Sequence, residues 1–256
     1  MKLQEDLLKI QFQGQYMLRK GGNMNYIIIN GKNSNTINGL LIQSLPSISK
    51  PLIRTNIEQI DGRDGDIITK LGYGAYDKEL LIGLYGKFDI DEIINFFNSE
   101  GIITFSNEPE KYYNFTIINQ IDFERLIRFR TAKVTIHVQP FKYSTVEGTK
   151  TFILDTYNEI TVRNNGNYFA RPIMTITGSR TVEVTLNNNQ IFEIELGDIG
   201  SITIDTNLME AYNDNGLQNR LVTGDYDNFR LNVGSNSIIF TGDVTEVAIK
   251  NMSRWI

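Results

Sequence analysis

Beyond Thr145 the chain alternates apolar and polar residues with period two. Arg180-Thr-Val-Glu-Val-Thr-Leu186 and Gln190-Ile-Phe-Glu-Ile-Glu-Leu196 each place every second side chain on an apolar face, the pattern of half-buried strands. Asn187-Asn-Asn189 lies between them, a stretch suited to a tight hairpin turn. Similar runs follow at Ser201 to Asp205, Phe229 to Val233, Ser237 to Thr241 and Thr245 to Lys250. Short strands at this spacing predict a β-sandwich for residues 144–256.

The first half reads differently. Leu3, Leu7 and Ile10 have near-helical spacing, and a strand from Tyr26 to Ile29 ends at the Asn30-Gly31 turn pair. From Leu52 to Tyr143 the pattern predicts strands around one clear helix. Ile90, Ile93, Ile94 and Phe97 form its apolar stripe, Asp89 its N-cap with Glu92 three residues on, and Gly101 its left-handed exit. Strands are then expected at Ile102 to Phe105, Tyr113 to Ile118 and Lys133 to Val138. The reading is therefore mainly β: an α+β domain over residues 24–143, and a sandwich beyond it. Lys20-Gly-Gly-Asn23 can be encoded by codons that resemble a bacterial ribosome-binding site just ahead of Met24. Residues 1–23 are accordingly read as a leader translated from upstream sequence.

Composition narrows the chemistry. Among 256 residues there is no cysteine and one histidine, so thiolate chemistry, disulfides and multi-histidine metal centres within one chain are excluded. The formal net charge of −5 suits neither general nucleic-acid binding nor disorder. No run is long and apolar enough to span a membrane, and the amino terminus lacks a secretory signal core.

The remaining constellations read more readily as structure than as catalysis. His137 lies with Lys133, Thr135 and Gln139 on the polar side of a strand whose other face is Ala132, Val134, Ile136 and Val138. Pro140 is expected to end that strand. Asp61-Gly-Arg-Asp64-Gly-Asp66 offers three hard carboxylates, which could bind Ca²⁺, but Asp-Gly pairs usually make turns. Gly83-Leu-Tyr-Gly86-Lys87-Phe88 departs from a P-loop in glycine spacing and in having Phe at the hydroxyl position. Asp155-Thr156 and Asp205-Thr206 lack the glycine of aspartic proteases and read as strand ends. Arg125, Arg128, Arg130 and Lys133, interleaved with Phe123, Leu126 and Phe129, form the one basic cluster, read as a face that pairs with acidic neighbours. Trp255 reads as a pin for the carboxyl terminus rather than a sugar platform. No catalytic, cofactor-binding or metal-binding residue is assigned.

The order of segments carries further information. Asp61-Gly-Arg-Asp-Gly-Asp66 is followed by Tyr76-Asp-Lys-Glu-Leu-Leu-Ile-Gly-Leu-Tyr-Gly86, the helix, Gly101-Ile-Ile-Thr-Phe-Ser-Asn-Glu-Pro-Glu-Lys-Tyr-Tyr113 and the basic cluster. Then come Val134-Thr-Ile-His-Val-Gln-Pro-Phe-Lys-Tyr143, Asn164-Asn-Gly-Asn-Tyr-Phe-Ala-Arg-Pro172 and Asn232-Val-Gly-Ser-Asn-Ser237, closing at Arg254-Trp255. This succession, from about Met24 to Ile256, resembles the distal tail protein (Dit) family of long-tailed phages of Gram-positive bacteria.

The resemblance implies a non-enzymatic structural protein of the virion tail tip or baseplate, or of a phage-tail-like bacteriocin. It implies a homo-hexameric ring that joins the tail tube protein to tail-tip, tail-associated or receptor-binding proteins. The amino-terminal domain would form the ring and a galectin-like sandwich would decorate its outside. No cofactor or membrane is implied, and DNA only passes through the lumen, from which acidic walls would repel its phosphates. The alternative reading is a cell-wall carbohydrate-binding module. True galectins, however, grip sugar with a central tryptophan and a histidine, and here His137 lies in the other domain and Trp255 at the chain end.

Overall fold

The computed structural model describes residues 25–154, 158–197 and 200–256. The expected amino-terminal helix, the expected leader, Met24 and Asp155-Thr156 lie outside the described residues. The chain divides into two units, one built from the described residues up to Pro109 with Tyr113–Gln139, the other from Glu110–Tyr112 with Pro140–Ile256. Both are mainly β.

In the first unit an antiparallel sheet runs in the spatial order Lys32–Asn33, Ile27–Ile29, Glu100–Phe105, Lys111–Thr116, Thr131–Ser144, Tyr76–Leu84, Leu40–Ser44. Alternation decides which face is buried. Ala132, Val134, Ile136 and Val138 are at most 2% exposed and pack with Ile27, Leu80, Ile82 and Ile103. The helix Ile90–Phe97 (α1) buries Ile93, Phe96 and Phe97, while Ile90 and Ile94 stay half-buried. Asp89 caps it, accepting hydrogen bonds from the Asp91 amide at 3.0 Å and the Glu92 amide at 3.4 Å. The helix stops at Phe97, earlier than the expected exit at Gly101.

Gly101 has another use. It sits in the strand Glu100–Phe105 with φ +129°, and a Cβ there would lie 2.3 Å from Oδ1 of Asn30. That space admits the Asn30 amide, which donates to Glu100 O at 2.8 Å and accepts from Ile102 N at 2.9 Å. The Asn30-Gly31 turn thus ties its hairpin to the next strand.

Two further expectations change. The basic cluster contains a second helix, Phe123–Phe129 (α2), capped by Asp122 and ended by Arg130 at φ +59°. Leu126 is its buried anchor. Pro140 does not end the His137 strand either, which continues to Ser144. Proline's fixed φ is compatible with an extended chain, and it removes only one donor.

The second unit is one sheet curled around its own core. Ile173–Leu186 pairs at both ends with Gly234–Lys250, through Ile173 to Ser179 and Glu183 to Leu186, and the two runs expected at Ser237 to Thr241 and Thr245 to Lys250 are this single strand. The first half of Ile173–Leu186 also pairs with Ser201–Asp205, the second half with Asn189–Gly197. Register shifts between Thr177 and Glu183 bend the ribbon at the changeover. Ile176, Ile202 and Ile204 from one half therefore share a core with Val182, Val184, Phe192 and Ile194 from the other. Asn187 (φ +48°) and Asn188 (φ +67°) form the expected hairpin turn. Phe229 to Val233 is not a strand. Leu231 exchanges backbone bonds with Ala170 alone, and Asn164 takes up its carbonyl at 3.0 Å.

Candidate functional site

The lone histidine sits on the exposed face of the first sheet. Strand register sets it opposite Asp77, and its Nδ1 lies 2.8 Å from Asp77 Oδ1. Beside this pair Lys133 forms an ion pair with Glu79 on the same two strands. A histidine oriented by a carboxylate is half of a catalytic relay. Among the described residues no serine or threonine hydroxyl is hydrogen-bonded to the ring, which is what nucleophile activation requires. Asp77 lines a cleft of about 330 Å³ with Ser47, Ser49, Lys78 and Glu79. Tyr76 Oη and Lys78 Nζ bond the Ser49 and Ser47 carbonyl oxygens, at 3.3 and 2.9 Å.

Lys78 itself, only 3% exposed, is a residue that sequence reasoning passed over. Its ammonium lies 5.0 Å from the Tyr113 ring centre, 5.4 Å from Tyr76 and 5.8 Å from Phe105, a cation–π cage within the core. The signal was a lysine in phase with Leu80 and Ile82 on the buried side of a strand.

The Asp61 to Asp66 motif is the turn of a free-standing hairpin, Ile53–Gln59 paired with Asp66–Tyr73, which forms a two-stranded sheet of its own. Gly62 and Gly65 take positive φ, and all three aspartates are exposed. Among the described residues no three acidic or histidine side chains are grouped to hold a metal ion. On the arm itself Ile57 stands directly opposite Ile68, and they are 55% and 60% exposed.

On α2 the guanidinium groups of Arg125 and Arg128 flank the Phe129 ring at 5.7 and 5.3 Å, and Arg130 lies over Phe88 at 4.9 Å. The expected acidic neighbours are absent: among the described residues, no carboxylate pairs with these three arginines. Of the basic cluster only Lys133 has such a partner. Gly83 lies within the strand Tyr76–Leu84 and Gly86 in the turn before α1, so the Gly83 to Phe88 segment is a strand exit.

In the second unit the carboxyl terminus is clasped rather than merely docked. Arg254, 6% exposed, donates from Nε to the Phe169 carbonyl at 2.6 Å and lies 4.1, 4.4 and 5.2 Å from the rings of Phe141, Phe169 and Tyr168. Gly166 lets the chain pass, since a Cβ there would lie 2.1 Å from the Arg254 carbonyl. Ser253 bonds Glu147 through its amide (2.7 Å) and its hydroxyl (2.6 Å), and Ile256 N reaches Asn167 at 2.8 Å. Trp255 pairs through its backbone with Lys142 while Lys111 sits over its ring. Asp205 accepts from the amides of Asn207 and Leu208, a strand-end turn.

A cleft of about 490 Å³ on this unit is lined among others by Asn187, Asn189, Gln190, Asp225, Asn228 and Arg230. It is rich in amides and has no aromatic ring on its wall.

No family model and no curated protein matches the chain. Among solved structures it aligns with the SPP1 Dit (gp 19.1) protein, described as a paradigm of the hub adsorption apparatus in phages infecting Gram-positive bacteria. The TM-score is 0.63 at 18% identity, over 89% of this chain and 99% of that one. The chain has the Dit fold. Chains of the phage p2 baseplate in its activated conformation, with Sr or with Ca, align over 89% of this chain at 11% and 12% identity, with TM-scores of 0.47 and 0.44. The Dit fold supplies a scaffold, and it does not by itself assign chemistry to any side chain.

Proposed function

We propose that this chain is a non-enzymatic structural component of a phage tail tip or baseplate. Six copies form a ring adaptor joining the tail tube to tail-tip, tail-associated or receptor-binding proteins, in a virion or a phage-tail-like bacteriocin. The observation that carries the reading is the extent of the fold match, 89% of this chain and 99% of SPP1 Dit. A match of that extent reaches into both units. In this reading residues 24–143 make the ring and residues 144–256 a galectin-like sandwich outside it, with DNA passing through the lumen ungripped.

The test is the mass of the purified full chain by light scattering, with negative-stain imaging. The expected particle is an annulus of six times the 29.2 kDa chain mass. A monomer at high concentration that also fails to bind tail tube protein ends the proposal.

A second reading, a module that binds cell-wall glycan, has the amide-rich cleft in its favour. Its wall offers hydrogen-bond donors and acceptors but no ring for a sugar to stack on. Retention of the chain on host cell walls, lost in Asn189→Ala/Asn228→Ala, would support it; no retention dismisses it.

A further inference from the structure

Among the described residues two surfaces of the first unit are left exposed, and they are complementary. The hairpin arm exposes apolar side chains: Ile57 and Ile68 across from each other, Ile60 at 49% and Leu71 at 58%. A two-stranded ribbon alone is marginally stable in water, so one with bare isoleucines calls for a covering surface. Its tip, Asp61-Gly-Arg63-Asp64-Gly-Asp66, is net acidic. The second surface is α2, where Arg125, Arg128 and Arg130 are exposed without a carboxylate partner among the described residues. Beside them Phe129 and Ile127 are 59% and 46% exposed. One surface is acidic and apolar, the other basic and apolar.

We infer that the hairpin arm of one copy docks on α2 of the next, placing the Asp61 to Asp66 tip against Arg125 and Arg128 and the isoleucines against Phe129 and Ile127. The two surfaces differ, so the contact is head-to-tail. Such contacts propagate until the rotation closes a ring. This rests on the ring reading above and names the contact that builds it. Opposite charges steer the approach and select the register, while the apolar surface supplies the driving force.

The experiment is a charge swap on the full chain, read by light scattering. Arg125→Glu/Arg128→Glu reverses the helix, and Asp61→Lys/Asp64→Lys reverses the arm tip. Each variant alone is expected to lose the hexamer while keeping the wild-type circular dichroism spectrum. Mixed in equal amounts they should reassemble, because in a six-membered ring alternating copies make every contact favourable. All four substitutions in one chain should likewise restore the ring. If both variants remain hexameric, the assigned contact is wrong and the ring stands. If neither the mixture nor the fourfold variant reassembles, the contact is also wrong, since lost assembly then reflects something other than this charge pairing. A wild-type chain that never leaves the monomer overturns the ring reading itself, and the contact with it.

Discussion

Arg254 shows how a single side chain can join distant segments. Burial pushes its pKa down, yet the guanidinium is held by three ring faces and one carbonyl rather than by a carboxylate. Gly166 makes that packing possible, and its neighbours are backbone atoms that cannot rotate away. We expect Gly166→Ala to destabilise the second unit by about 1–3 kcal/mol, the usual range for overpacking. Urea unfolding followed by Trp255 fluorescence would measure it, and a midpoint unchanged from wild type would contradict the clasp. Tyr113 offers a test by pH. It is fully buried, and its hydroxyl donates to Glu108 at 2.7 Å. Burial first, then that bond and the Glu108 charge, drive its pKa far above the ordinary tyrosine range. The folded protein keeps this proton where the unfolded chain releases it. Stability is therefore fully present below the unfolded value of about 10 and falls as pH rises beyond it. Tyr113→Phe should flatten that alkaline loss; an equally steep loss in the variant would show that other groups cause it.

At the scale of elements, local rules were legible wherever a short-range signal exists. Asp89 and the apolar stripe marked α1, and Asn30-Gly31 and Asn187-Asn188 marked turns, because capping and positive φ are decided by neighbours in sequence. Asp89→Ala removes both cap bonds and is expected to cost about 1 kcal/mol, read as a lower urea midpoint for the first unit. An unchanged midpoint would mean that tertiary packing alone fixes the helix start. The rest was misread for identifiable reasons. α2 is only seven residues long and anchored by Leu126 alone, too short for a periodic signal. Gly101 looked like a helix exit but makes room for Asn30, which is 71 positions away and close only in the fold. The strand Gly234–Lys250 looked like two because Gly242 interrupts its alternation. In the arm, the apolar and polar positions were visible, but nothing local says that a hairpin will stand clear of the main sheet.

For the whole molecule, assembly couples stability to concentration. If the ring binds folded and not unfolded chains, the thermal midpoint should rise with protein concentration. We expect that rise for the wild type and its loss in Arg125→Glu/Arg128→Glu; a concentration-independent midpoint for the wild-type hexamer would argue against linkage between assembly and folding. The sequence by itself determined the mainly β class, the turns, the first helix, and the absence of cysteine chemistry, since composition and period-two burial need no knowledge of distant contacts. Tertiary structure alone decided that His137 faces Asp77, that Lys78 sits in an aromatic cage, and that Arg254 is clasped by Phe141 and the Tyr168-Phe169 segment. It also decided that, among the described residues, three arginines without a carboxylate partner and a hairpin of isoleucines stay exposed. Each of these depends on strand register and on which segments meet, and pairing between residues far apart in the chain leaves no periodic trace along it.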